Sequence, residues 1–295
     1  MRCLNNQKGI ALVVTLLVVA LLAAMVVEFA YGVYTGTNDL YNWRDGQRLS
    51  LMAKSGLSIS AKVLSYKDFI EKYTGPVEMP VENPFEDFRG TVTIRIENED
   101  AKFNLNAIVP PNEIIFEDDP QSPYNCFKSL LNTLKLDVTI ADRVVDWIDT
   151  DSESRGPADS EVDAKNSVFN SVDELLLIHG ISRKDYDTLL PYVTVSNYRD
   201  NLIVNINGAQ APVLQSLSPA IMEEAAKRII DARKNQPLTI AEFNEIAGTS
   251  LGTQRITTEG TTFSIRSTAE SGGVKRIIET VLDRSGNTVR YWKEY

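Results

Sequence analysis

At 295 residues and 32.9 kDa, the chain can hold one large or two modest domains around a sizeable core. Its 43% apolar and 24% charged composition belongs to a folded protein, and 30 Lys+Arg against 40 Asp+Glu leave a net charge of −10, which argues against gripping a nucleic-acid backbone. One histidine, His179, and two cysteines, Cys3 and Cys126, exclude a His-rich metal cage and a disulfide framework, and leave only His179 for any Ser-His-Asp or Cys-His centre.

Residues 1–9 are short and polar and carry Arg2 and Lys8. Residues 10–27 are 18 positions interrupted only by Thr15 and otherwise apolar, about 27 Å long as a helix and close to the thickness of a bilayer's hydrocarbon core. Basic residues precede this run and none follows until Arg44, so the N-terminus is expected in the cytoplasm and the remaining chain across the membrane. Three readings compete. A cleaved secretory signal has an apolar region of about 7–15 residues, shorter than this one, although Ala23 and Ala24 suit a small-residue cut. A plain membrane anchor is the second. The third takes Lys8-Gly9 followed by Ile10-Ala11-Leu12 as a junction cut between Gly9 and Ile10, on the cytoplasmic side of an apolar helix that stays on the mature protein. That arrangement resembles the class III signal of type IV pilins and secretion pseudopilins, in which a prepilin peptidase cuts after the glycine. Most such proteins carry a glutamate at the fifth mature position, where this chain has Val14. On this reading Val13, Val14, Leu16, Leu17 and Ala20 pack against other subunits.

Leu49, Met52, Ala53, Gly56, Leu57, Ser60, Val63 and Leu64 repeat at i, i+3/i+4 spacing, which predicts that the helix continues to about residue 66, with a break between residues 32 and 36. Pro76, Pro80 and Pro84 mark a connection. Residues 90–98 alternate Val92, Ile94 and Ile96 to one side and predict a strand. Residues 262–267, 275–282 and 288–292 are further β-rich runs, separated by Ser271-Gly272-Gly273 and Arg284-Ser285-Gly286-Asn287, both hairpin chemistry. The expected fold is α+β: a long N-terminal helix on a small antiparallel sheet, drawn from residues 28–103 and 259–295.

Residues 104–258 carry almost only helical signals and read as an insertion. Within it Ser171-Val172-Asp173-Glu174-Leu175, with Ile178, Gly180 and Ser182, recurs as Thr239-Ile240-Ala241-Glu242-Phe243 with Ile246, Gly248 and Ser250. In both, Ser or Thr is the expected N-cap, the Glu completes a capping box, and the glycine falls just past the helix end. Upstream, Phe103-Asn104-Leu105-Asn106 matches Val204-Asn205-Ile206-Asn207, Leu131 and Leu134 match Leu214 and Leu217, and Val144-Val145-Asp146 matches Ile229-Ile230-Asp231. The insert is therefore read as two repeated helical modules, residues 104–190 and 204–258, of a SAM-like or helix-hairpin-helix-like kind.

With the N-terminal junction, Val14, Asn104-Leu105-Asn106, Asp146-Trp147-Ile148-Asp149 and Val204-Asn205-Ile206-Asn207 in order, the chain resembles the general secretion pathway protein K family, the K-type minor pseudopilins of type II secretion. The resemblance implies a pilin-like fold with an inserted helical domain, anchored once in the bacterial inner membrane with its globular part in the periplasm. It also implies a structural rather than enzymatic role at the pseudopilus tip. The implied partners are I- and J-type minor pseudopilins, prepilin peptidase and the inner-membrane secretion platform. A membrane-anchored helix-hairpin-helix protein that binds or takes up DNA is the alternative, and a periplasmic enzyme a further one.

The module halves differ by an acidic loop from Asp146 to Gly156, continuing through Asp159, Glu161 and Asp163, where the second half has only Lys234-Asn235-Gln236-Pro237. Seven carboxylates against Arg155 repel one another unless solvated or bound to a cation. Asp-x-Asp-x-Glu suits calcium's six to eight oxygen ligands, but the loop is not an EF-hand: its sixth position lacks glycine and Ser160 stands at the closing one. A solvated acidic surface competes with a calcium site, which the family resemblance favours. Asp149, Asp151 and Glu153 are the first candidates, with Asp159 and Asp163 behind them. His179 aligns with Ala247, which speaks against catalysis, and Cys126 reads as a small buried hydrophobe. Lys227, Arg228, Arg233 and Lys234 read as a solvated helix face.

Overall fold

The computed structural model describes residues 7–83, 85, 87–157, 159–196, 198–284 and 288–295. Helix α1 (Gln7–Ser65) is one element of 59 residues, about 88 Å at ~1.5 Å per residue. The break predicted between residues 32 and 36 is absent. A Cβ at Gly32 or Gly36 would meet nothing within 4 Å. The hydroxyls of Thr35 and Thr37 donate to carbonyls one turn back, at Tyr31 and Val33, so both threonines sit within the helix. Each glycine costs only about 1 kcal/mol relative to alanine, too little to interrupt a rod of this length. The rod ends where Tyr66 turns extended, and a short helix α2 (Lys67–Glu71) follows.

Strands β1 (Val77–Val81) and β2 (Thr91–Asn98) come next. Pro80 lies inside β1 rather than in a connection; β1 is the outermost strand of its sheet, where a missing N–H leaves no ladder bond unmade. Pro84 lies outside the described residues.

The insert begins at β3 (Phe103–Asn104) and runs through α3 (Pro123–Thr133), α4 (Ile140–Ile148), α5 (Arg183–Leu189) and β4 (Val193–Thr194). Its second half is β5 (Val204–Asn205), α6 (Ala211–Ser216), α7 (Glu223–Arg233), α8 (Ile240–Ala247) and β6 (Ile256–Thr257). Three long strands, β7 (Thr262–Ser271), β8 (Val274–Asp283) and β9 (Thr288–Glu294), then complete an antiparallel sheet of order β1-β2-β7-β8-β9. Gly272 and Gly273, at φ 56° and 81°, form the two-residue turn between β7 and β8, a backbone that glycine adopts without a Cβ clash. The other predicted turn, Ser285-Gly286-Asn287, falls outside the described residues.

The sheet buries Val92, Ile94 and Ile96 of β2 and Phe263, Ile265 and Ala269 of β7 against α1. From α1 come Leu49, Met52, Ala53, Gly56, Ser60 and Leu64, all buried, so the predicted stripe is the face that meets the sheet. The opposite face carries ion pairs such as Arg266–Glu279 and Lys275–Glu270.

The insert has its own apolar core, including Phe103, Phe127, Leu130, Val144, Leu189, Val204, Leu214, Ile229 and Phe243. Its halves share a backbone plan: β3 pairs in parallel with β4 across the first, and β5 with β6 across the second. They differ at the capped element. Thr239 and Glu242 close a full capping box on α8, which ends at Gly248 in the left-handed conformation. Ser171 instead caps a 3-10 turn, Val172–Leu177, and Glu174 accepts from the Asn170 N–H and from Lys165 rather than closing a box. The capping box of the first half lies on α5, between Ser182 and Asp185, an element that the spacing did not predict. A polar joint links insert and sheet: Asn205 Nδ2 donates to Asn98 Oδ1 at 3.1 Å, Asn98 Nδ2 to the Thr262 carbonyl, and Thr194 Oγ1 to Glu99.

Candidate functional site

The acidic loop leaves the end of α4. Asp146 lies in its last turn and Asp149 is its C-cap, an i, i+3 pair that shares one face of the helix. The chain then loops out and returns, bringing Glu161 back to both. One carboxylate oxygen from each of Asp146, Asp149 and Glu161 lies within 4.8 Å of the others. Asp146 is fully buried and well supplied with donors: the Arg155 N–H at 3.1 Å, the Gly156 N–H at 3.2 Å and the Ser160 hydroxyl. Asp149 is 8% exposed, yet its Oδ1 is buried without a hydrogen-bond partner, and the same is true of Glu161 Oε1.

Burial, together with the charges of Asp151, Asp146, Glu161 and Glu113, pushes the Asp149 carboxyl up to about 7. Burial first, then Asp146 and Asp151, also raises Glu161. Two buried carboxylate oxygens without donors are costly unless neutralised. Oxygens bound to one calcium ion at about 2.3–2.6 Å lie no more than about 5.2 Å apart, a limit that this triad meets. Calcium's remaining ligand positions suit waters and the nearby Asp151 or Glu113.

Of the five predicted ligands, the structure brings only Asp149 into this triad. Asp151 is exposed and accepts the Glu153 N–H; the Glu153 side chain is exposed to solvent. Asp159 pairs with Arg143 at 3.0 Å, and Asp163, at φ 60°, is exposed and not part of the triad. Sequence reasoning passed over Asp146 and Glu161. The i, i+3 spacing of Asp146 and Asp149, on the face that α4 buries, could have identified the first; nothing local marks Glu161, which arrives by loop closure.

The second feature is the free part of α1. Residues 10–34 are exposed throughout, including Val13, Val14, Leu16, Leu17 and Ala20, and the segment is long and apolar enough to cross a membrane. Gly9 and Ile10 lie in its first turns. Elsewhere, Cys126 is fully buried and its thiol is pushed up to about 11 by burial, against the pull of Arg255. His179 is exposed, and its carbonyl, not its ring, accepts from Arg143. Of the basic patch, Lys227, Arg228 and Lys234 are exposed, as a solvated helix face requires, and Arg233 departs from that reading. Lys227 pairs with Glu223 and Glu224, Lys234 with Asp231, and Arg233 is buried with its guanidinium on the Ile206 carbonyl at 2.6 Å.

Two sequence models of the type II secretion system protein K family match residues 101–197 and 204–266, together more than half of the chain. The chain belongs to the type II secretion system protein K family. Among family members, the Pseudomonas aeruginosa protein is 28% identical over 257 residues, covering 78% of this chain and 73% of that protein. The Aeromonas hydrophila protein is 27% identical over 78% of this chain and 76% of its own length, and a putative protein K of Escherichia coli K12 is 26% identical over 69% and 66%. A chain in the crystal structure of the GspK-GspI-GspJ complex from enterotoxigenic Escherichia coli shares the fold. Its TM-score is 0.62 at 19% identity, over 86% of this chain and 98% of that one. As a member of family K the chain is a minor pseudopilin of the type II secretion system, and its apolar α1 makes it a single-pass membrane-anchored protein.

Proposed function

We propose that this pseudopilin sits at the pseudopilus tip, where it primes assembly with I- and J-type minor pseudopilins and supports protein export across the outer membrane. It acts by association rather than catalysis. The supporting observation is that α1 leaves residues 10–34 unpartnered within the chain while its later turns are committed to the chain's own sheet. The solved complex of the related fold contains GspI and GspJ beside GspK, which suits the same partners here. The bulk of the insert and the apolar Val14 suit a subunit with none stacked above it. In this reading prepilin peptidase cuts between Gly9 and Ile10 and Ile10 is N-methylated. The N-terminus faces the cytoplasm and the inner-membrane platform, and the globular part is periplasmic. The test is co-purification of Leu17→Asp with I- and J-type partners: loss of the partners with the globular part still folded is expected, and normal recovery would reduce α1 to an anchor.

We further infer that Asp146, Asp149 and Glu161 hold a calcium ion. The unpartnered buried oxygens of Asp149 and Glu161 support this reading. A bound cation would offset their mutual repulsion and tie the returning loop to α4. Calorimetric titration of the full chain with calcium tests it; absence of binding at millimolar calcium returns the loop to an acidic surface.

A further inference from the structure

Arg143 lies in α4, three residues before Asp146, and is 9% exposed. Its Nη1 donates to the His179 carbonyl at 2.7 Å and its Nη2 pairs with Asp159 Oδ1 at 3.0 Å. The guanidinium rests on Gly180, where any Cβ would come within 2.5 Å of Cζ, so the missing side chain of that residue leaves the guanidinium its seat. The two residues that follow Asp159 are also assigned. The Ser160 hydroxyl donates to Asp146, and Glu161 enters the carboxylate triad. Two consecutive side chains of the returning loop are thus tied to α4, by Arg143 at the outer end and by Asp146, and the third, Glu161, is carried in beside Asp146 and Asp149.

We propose that Arg143 is a positioning residue of the cation site: by holding Asp159 it sets the register in which Ser160 and Glu161 close on α4. This rests on the calcium reading above. A buried guanidinium near a calcium site opposes the ion by its charge, so its presence there calls for a compensating role. Fixing the loop before binding supplies one, because an ion then orders fewer residues on arrival. The second half of the insert offers an internal control. Arg228, which aligns with Arg143, donates to the Ile246 carbonyl at 3.3 Å, but that half has no acidic loop for it to hold.

The test is calcium titration of the full chain in detergent, with melting temperature followed in parallel. Arg143→Gln and Asp159→Asn are each expected to raise the calcium Kd at least tenfold, with Arg143→Lys intermediate. Arg228→Gln is expected to lower the melting temperature without changing Kd, which separates positioning from general destabilisation. Unchanged or tighter binding by Arg143→Gln would overturn the proposal, since the arginine would then act only as an opposing charge. Weakening by Asp159→Asn beside tightening by Arg143→Lys would also overturn it, and make Asp159 a ligand. If Arg143→Gln does not fold, the Lys and Asn variants decide. A wild-type chain that binds no calcium defeats the cation site itself and this proposal with it, whereas a wild-type chain that binds beside an unaffected Arg143→Gln defeats this proposal alone.

Discussion

Asn106 and Asn207 occupy the same place in the two halves of the insert and make the same three hydrogen bonds. Asn106 Nδ2 donates to the carbonyls of Phe169 and Ser196, and its Oδ1 accepts the Phe169 N–H. Asn207 Nδ2 donates to the carbonyls of Leu238 and Thr258, and its Oδ1 accepts the Leu238 N–H. Both side chains are fully buried. Each stitches the start of its half to two later segments, a task that the backbone alone leaves undone because the flanking parallel strand pairs are only two residues long.

Asn106→Ala and Asn207→Ala are therefore expected to destabilise the insert by similar amounts. An unpaired buried polar group costs about 1–3 kcal/mol, so a loss of roughly 3 kcal/mol or more is expected for each. Asn132→Ala, at an exposed position, should change little. Thermal unfolding of the three variants checks this.

Calcium at a hundredfold excess over its Kd stabilises a folded state that alone binds it by ~2.7 kcal/mol. For a protein of this size that corresponds to a rise in melting temperature of roughly 4–5 °C. Asp149→Asn and Glu161→Gln should abolish the rise and, by removing a like charge, increase stability in EDTA. Asp163→Asn and Asp231→Asn should leave the rise intact. Terbium luminescence sensitised by Trp147, which lies between Asp146 and Asp149 in the chain, gives an independent reading.

The raised carboxyl of Asp149 sets the sign of a pH effect in metal-free protein. Burial, then Asp151, Asp146, Glu161 and Glu113, lift it to about 7 from an ordinary value of 3.8. Between those limits the folded chain holds a proton that the unfolded chain has released. Stability in EDTA should therefore fall as pH rises from about 4 through 7. Asp149→Asn should flatten this slope, and calcium should flatten it near neutral pH. Melting temperatures from pH 5 to 8 decide it.

Where α1 crosses the sheet, Gly56 sits directly on Ser267, and a Cβ there would lie only 2.9 Å from Ile94 Cγ2. The Ser267 hydroxyl beneath it is buried without a partner. Gly56→Ala should cost ~1–3 kcal/mol by overpacking. Ser267→Ala should be neutral or stabilising by about 1 kcal/mol. The double variant should recover part of the Gly56→Ala loss, a non-additivity measurable in a double-mutant cycle.

The apolar run, the sheet-facing stripe from Leu49 to Leu64 and the Gly272-Gly273 hairpin were legible because each is a local pattern with a period or a required backbone. The uninterrupted passage through Gly32 and Gly36 was not, since glycine permits a break without imposing one. Pro80 was misplaced because its tolerance depends on β1 being an edge, a fact of sheet order. At the acidic loop, composition marked the region but not the ligands. Which carboxylates converge depends on where Asp159, Ser160 and Glu161 return to α4, and that return is set by Arg143 and Asp146, 16 and 14 residues before Asp159 and Ser160 in the chain.

A helix without a hinge from Gln7 to Ser65 also transmits angle. Its lipid-side residues and its sheet-side residues are fixed to one another like teeth on a single shaft, at about 100° per residue. The compass direction in which the insert and its acidic loop face around the fibre is therefore set by a count of residues between Leu17 and Leu49. One residue added within that stretch would turn the whole head by more than a quarter circle, although every contact inside the head would survive. Seven would return it to within about 20° of where it began, some 10 Å further from the membrane.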